Sequence, residues 1–288
     1  MQLSKKAGRA IKFMTERAII GLTEWLQTPA GRYVLEWEQG HLDSAVADLF
    51  GFHALQLGLS ELEALRANRM PHRWVGVDMA AAQAASAGEA ASLPRAAVAL
   101  HCDFDALPFD SNSLDLVVLP HALELARDPH LALREVERVL VPEGRVVIVG
   151  FNPASLWGLR QSLGRLRRGL GLGAKRDLYL PGGGEFMRYR RLRDWLRLLS
   201  FEVEAGRFGC YRPPVRSLTW LSRFEWAERF GERWWPVFGA VYFVVAVKRV
   251  RGMRLIGLAR AQRVVKHAAP APVVANNHHH SNNETDEH

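Results

Sequence analysis

The stretch from Ala97 to Asn152 constrains the fold of this chain more than any other. Two apolar runs, Leu114–Leu119 and Arg145–Phe151, have strand length and are rich in Val, Leu and Ile. Between them, Pro129–Leu140 carries its apolar residues at helical spacing and stops at the turn Val141-Pro142-Glu143-Gly144. A buried strand, a crossover helix and a second buried strand make one right-handed parallel β-α-β unit.

Upstream, Phe52–Leu57, Arg73–Val77 and Ala97–His101 read as three further strands. The Ala-rich stretch Ala80–Ala91 reads as a helix between the last two. Such alternation marks a doubly wound, mostly parallel sheet with helices on both faces. Residues 4–27 have helical periodicity, and Thr28-Pro29 starts a second helix that runs to about Leu49, so residues 1–50 form a helical N-terminal extension. Downstream, Arg190–Leu199 is an amphipathic helix, Phe201–Phe208 and Ala240–Lys248 are closing strands, and Leu218–Phe230 is an aromatic-rich helix. The domain is expected over residues 51–252, with a lid insertion at 155–185 and a disordered tail at 253–288.

The longest apolar run, Trp234–Val247, is too short for a membrane span, which needs ~20 residues. Its aromatic and β-branched content predicts a buried strand. Two cysteines, Cys102 and Cys210, suggest no disulfide framework, and no secretory pattern opens the chain, so the expected location is cytoplasmic. The formal net charge of +8 favours an anionic partner. No nucleic-acid motif accompanies that charge, so nucleic acid is not the expected partner. His278–His280 lacks the ligand spacing of a structural metal site, and no metal is expected.

In an open parallel sheet, ligands bind beyond the carboxyl ends of the strands. The first four strands are followed there by Gly58, Asp78, Asp103 and His121. A neutral His121 could accept a proton from a substrate, which makes it the candidate catalytic residue; a loop contact or a helix cap is its structural alternative. Between Leu156 and Arg176, Arg160, Arg165, Arg167, Arg168, Lys175 and Arg176 stand with no acid, and leucines occupy the opposite face. This segment predicts a basic amphipathic lid. Its leucines would cover the substrate mouth, and its cations over 157–176 would meet an anionic acceptor or a membrane surface. Gly169–Gly173 and Pro181–Gly184 read as hinges.

Five stretches carry a family resemblance: FGFHALQLG, DALPFDSNSLDLVVLPHALE, LREVERVLVPEGRVVI, GFNPASLWGLR and RLRDWLRLLSFEV. Over roughly Trp25 to Val250 the chain resembles class I S-adenosylmethionine-dependent methyltransferases of the type-11 group, in a proteobacterial branch. The resemblance implies a Rossmann-like, seven-stranded methyltransferase fold and S-adenosyl-L-methionine as cofactor. It implies a methyl acceptor of unknown identity. It assigns the ribose to Asp78, the adenine to Asp103 with Phe104 beside it, the methionine end to Gln56 and Gly58, and the methyl-transfer face to the end of the fourth strand at Leu119. The glycine motif is degenerate: in Gln56-Leu57-Gly58-Leu59-Ser60-Glu61-Leu62, only Gly58 keeps a family glycine, and Gln56 replaces an acid. A transferase and a non-catalytic binding protein on the same fold are the two readings this leaves open.

Overall fold

A computed structural model describes residues 21–78, 97–170, 178–181 and 186–249. The expected helical residues 4–20, the Ala80–Ala91 stretch, Gly171–Arg176, most of the second glycine hinge and the tail lie outside them. After helical residues 21–26, helix α1 (Pro29–Ala47) starts where expected. Thr28 Oγ1 accepts the Gly31 N–H at 3.2 Å, and Pro29 occupies a first-turn position whose N–H would be unpaired anyway. The chain continues through β1 (His53–Leu57), β2 (His72–Asp78), β3 (Leu100–Cys102), β4 (Leu114–Pro120), α2 (Ala122–Leu125), α3 (Pro129–Val139) and β5 (Leu140–Phe151). It closes with α4 (Leu156–Gly169), α5 (Tyr189–Leu198), β6 (Phe201–Gly209), α6 (Leu218–Arg223), α7 (Trp226–Trp234) and β7 (Val241–Lys248).

One seven-stranded sheet has the order β3-β2-β1-β4-β5-β7-β6. The pairs β1–β2, β2–β3, β1–β4 and β4–β5 are parallel, whereas β7 runs antiparallel between β5 and β6. This is the mostly parallel Rossmann-like sheet that the sequence predicts. The carboxyl ends of β1 to β6 therefore share one edge of the sheet, and the amino end of β7 joins them there.

The central strands are buried on both faces. Alternate residues feed two apolar layers. Ala54, Leu116, Val118, Val147 and Val149 pack under α1. Leu55, Leu57, Val117, Leu119 and Ile148 pack under α3 and α5. Asp128 caps α3 by accepting the N–H groups of His130 and Leu131 at 2.9 and 3.1 Å. Ala132, Leu133, Val136 and Val139 then fall on the buried face of that helix.

Four expectations shift. The third strand covers Leu100–Cys102 rather than Ala97–His101. The turn expected at Val141–Gly144 becomes a bulge inside β5: Leu114 pairs with Leu140 but Leu116 with Arg145, and Glu143 takes a positive φ of 63°. The aromatic helix breaks at Phe224-Glu225 into α6 and α7. The apolar run Trp234–Val247 is a buried strand only from Val241; Trp234, Trp235, Val237 and Phe238 are exposed.

Candidate functional site

At the carboxyl edge, β1 turns sharply at Gly58, where φ is +113°. The Gly58 N–H donates to the Gly76 carbonyl at 3.1 Å, and the Leu59 N–H donates to the Pro120 carbonyl at 3.2 Å. A Cβ at Gly58 would stand 2.7 Å from the Pro120 oxygen and 3.0 Å from the Ala122 Cβ. Both the backbone angle and the space thus require glycine. Two residues beyond Gly76 on β2, Asp78 is buried and in register with Cys102 at the end of β3. Asp103 follows, half-exposed, with Arg127 at 3.9 Å. Burial first, then the Asp78 and Asp103 carboxylates, push the Cys102 thiol up to about 11. The thiol is therefore neutral near pH 7, and two negative groups converge on it. A glycine turn and two carboxylates on adjacent strand ends are what the sequence brings together here.

Gln56 is placed differently from the expectation. Its side chain is fully buried and turned into its own loop. Nε2 donates to the carbonyls of Leu59 at 2.8 Å and Leu62 at 2.6 Å, and Oε1 accepts the Ala64 N–H at 2.9 Å. These bonds consume the carboxamide, so Gln56 holds the turn after β1 in shape and does not face a ligand. They also explain the replacement of the family's acid, because a carboxylate could not donate to the two carbonyls. Leu62, standing where the family has a glycine, is buried in the core. Phe104 and Leu119 are likewise buried and pack in the layer beneath α3 and α5.

His121 does not offer a free nitrogen to a substrate. It sits in the left-handed region with φ 54°, and its side chain is 0% exposed. Nε2 is 2.8 Å from Glu38 Oε1 and Nδ1 is 2.9 Å from Glu124 Oε2. Its ring lies 4.5 Å from that of Phe151, and Glu124 also accepts the Phe151 N–H. Burial opposes the charged ring, but the Glu38 and Glu124 carboxylates outweigh it and hold the imidazole up to about 10. A protonated ring with both N–H groups engaged is not a general base at neutral pH. It clamps α1 to the end of β4. The carboxylate partners escaped the sequence reading, although Glu38 interrupts the buried stripe Val34, Leu42, Val46 of α1 at helical spacing. A carboxylate inside an apolar stripe is a readable sign of a buried partner.

The other half of the carboxyl edge carries two long insertions, after β5 and after β6, which lock together as a roof. Asn152 donates to the carbonyls of Val237 at 2.7 Å and Gly239 at 2.9 Å. Trp157 Nε1 donates to the Arg212 carbonyl at 2.6 Å. Gln161 accepts from the Tyr179 and Leu180 N–H groups, each at 2.9 Å. The inward face of α4 is therefore Trp157, Gly158, Gln161 and Gly164. The leucines expected to cover the substrate mouth, Leu156, Leu159, Leu163, Leu166 and Leu170, are exposed instead.

The comparisons agree with this fold. A methyltransferase-domain family matches residues 56–148. The uncharacterized protein YafS of Escherichia coli (strain K12) is 31% identical over 185 residues, covering 64% of this chain and 67% of that protein. A malonyl-[acyl-carrier protein] O-methyltransferase of Alcanivorax borkumensis is 31% identical over 167 residues, 57% of this chain and 52% of the relative. The chain belongs to the class I S-adenosylmethionine-dependent methyltransferases. Among solved structures, a SAM-dependent methyltransferase from Thermotoga maritima superposes with a TM-score of 0.50 over 83% of this methyltransferase and 100% of that chain, at 14% identity, a likeness of fold.

Proposed function

We propose that this methyltransferase binds S-adenosyl-L-methionine across the ends of β1, β2 and β3 and transfers its methyl group to an acceptor that enters beneath the roof. The observation that carries this reading is the convergence of Gly58, Asp78 and Asp103 on one edge of the sheet. Their chemistry suits the cofactor. A ribose diol and an adenine amine both present donors, which carboxylates accept, and the glycine turn lets a zwitterionic amino-acid end approach the backbone. Asp78 would hold the ribose, Asp103 the adenine and the Gly58 turn the methionine end.

When bound, the cofactor supplies an electrophilic methyl group on a sulfonium. The contribution of the chain is then alignment of the acceptor and exclusion of water rather than proton abstraction by His121. His121 and Glu124 instead fix the end of β4, against which the Gly58 turn packs. The +8 charge and the arginines of the roof favour an anionic acceptor.

Titration calorimetry of the full chain with S-adenosyl-L-methionine tests the reading. One-to-one binding is expected, with a rise in melting temperature at saturation. Asp78→Ala should weaken that binding at least about tenfold, roughly 1.4 kcal/mol, while the apoprotein stays folded. No heat and no thermal shift at millimolar cofactor would overturn it.

A further inference from the structure

The roof turns an unusual surface to solvent. Along α4 and the residue that follows it, the exposed leucines recur at 156, 159, 163, 166 and 170, the spacing of one helical face. On the second insertion, Trp220, Trp226, Phe230, Trp234, Trp235 and Phe238 are each more than half exposed. The two sets meet. An apolar groove of about 440 Å³ is lined by Leu156 from α4 and by Phe224, Trp226, Phe230, Trp235 and Phe238 from the second insertion. Soluble surfaces seldom leave so many large apolar side chains contiguous without a partner.

Charge decides the partner. Helix α4 holds four arginines and no acid. Arg167 stands four residues after Leu163, on the border of the leucine stripe, whereas Arg160 is held within the roof, donating to the Pro214 carbonyl and lying over the Tyr179 ring at 4.9 Å. The second insertion, residues 210–240, has five arginines against three glutamates, and one of those, Glu228, lies 3.6 Å from Arg212. Arg223 lies over the Trp220 ring at 5.7 Å. Leucine and phenylalanine on one surface, indole rings with a polar N–H, and a rim of arginine match the layers of an anionic bilayer: acyl boundary, headgroup level and phosphate. No described helix is long and apolar enough to cross a membrane.

We propose that the outer face of the roof, formed by α4 and residues 218–238, docks on an anionic phospholipid bilayer. Docking orients the carboxyl edge of the sheet toward the lipid surface. It does not require cofactor, so it stands or falls separately from the methyl-transfer reading.

Co-sedimentation of the full chain with vesicles, without cofactor, is the test. The chain should pellet with vesicles of phosphatidylglycerol and phosphatidylcholine in low salt. It should partition at least about tenfold less onto pure phosphatidylcholine or in high salt, because screening removes the arginine attraction. The triple variant Leu159→Ser, Leu163→Ser, Leu166→Ser should lose about tenfold or more in partitioning with an unchanged melting temperature. Should that variant misfold, Arg167→Gln with Arg223→Gln reports instead and should lose anionic preference. Calorimetry with S-adenosyl-L-methionine on the same variants should give unchanged affinity. Absence of pelleting, equal binding to both vesicle types, or wild-type partitioning by a folded leucine or arginine variant would each overturn the proposal. So would a dimer in sedimentation velocity that the leucine substitutions dissolve, since a second copy would then cover the face.

Discussion

The two halves of the sheet's carboxyl edge are inverted with respect to each other. Beside β1–β4, polar groups are buried: Gln56, Asp78, His121 and Glu124 are all inside, together with Glu38 from α1. Beside β5 and β6, Asn152, Ser155 and Gln161 are buried too, but here large apolar groups are outside: leucines of α4 and indoles of α7 face solvent. In the first half, Gln56, His121, Glu124 and the Glu38 Oε1 atom meet hydrogen-bond partners within the chain, and a buried polar group is tolerable when partnered. The exposed apolar groups of the second half have no such internal account. A polar interior points to shape that must be held. An apolar exterior points to something that must be met.

The sharpest way to break this comparison is to remove the centre of the buried polar cluster. His121→Asn keeps a residue that tolerates the left-handed backbone but takes from Glu38 its imidazole partner and leaves Glu124 with the Phe151 N–H alone. Urea denaturation should register a loss of about 3–5 kcal/mol. The same ring gives a pH signature. Its folded value of about 10 lies above the ordinary 6.5, so its stabilisation is fully present below about pH 6.5 and is lost as pH rises through about 10. The melting temperature of the wild type should fall across that window. An equal slope in His121→Asn would show that the cluster is not the source.

Next in size is a contrast between two amphipathic helices. Leu196 of α5 is fully buried, and Leu196→Ala should cost about 2–5 kcal/mol by cavity formation. Smaller again, Gln56→Glu sets a carboxylate against the Leu59 and Leu62 carbonyls. It should cost about 1–3 kcal/mol at neutral pH and recover part of that in acid, where the carboxyl regains a donor. A neutral or stabilising result would mean that the loop after β1 reshapes to present the side chain to cofactor. The smallest effect is expected at the surface. Leu163 of α4 is exposed, and Leu163→Ala should change stability by no more than about 0.5 kcal/mol. If its cost matches that of Leu196→Ala, the leucine face of α4 is an interior face and the inversion does not hold.

Much of the fold was legible because strand and helix periods are local. Helix α1 begins at the residue that Thr28-Pro29 announces, and α3 begins at Asp128-Pro129. β1 ends before Gly58 as read, whereas β2 and β3 each run one residue past the expected end, so that Asp78 closes β2 and Asp103 follows Cys102. The apolar run Trp234–Val247 was legible only in part. Val241–Lys248 takes β7 and its neighbours on both sides, whereas Trp234–Phe238 has the same hydrophobicity but no strand beside it. Hydrophobicity marks what gains from leaving water, not whether this chain supplies the cover.

By itself, then, the sequence determined the order of elements, the parallel β-α-β frame, and a glycine and two carboxylates set at the ends of strands. The tertiary structure alone decided the partners of Gln56 and His121 and the direction in which α4 faces. The reason is one of range. Periodicity and capping act over a few residues, so they are written locally. His121 meets a carboxylate 83 residues away. α4 turns Trp157 and Gly158 inward, although its leucines are the more apolar face. At Gly158 a Cβ would collide with the Pro153 backbone, so only a bare glycine lets the helix seat there. Close approach, not hydrophobic pattern, chose the buried face and left the leucines outside.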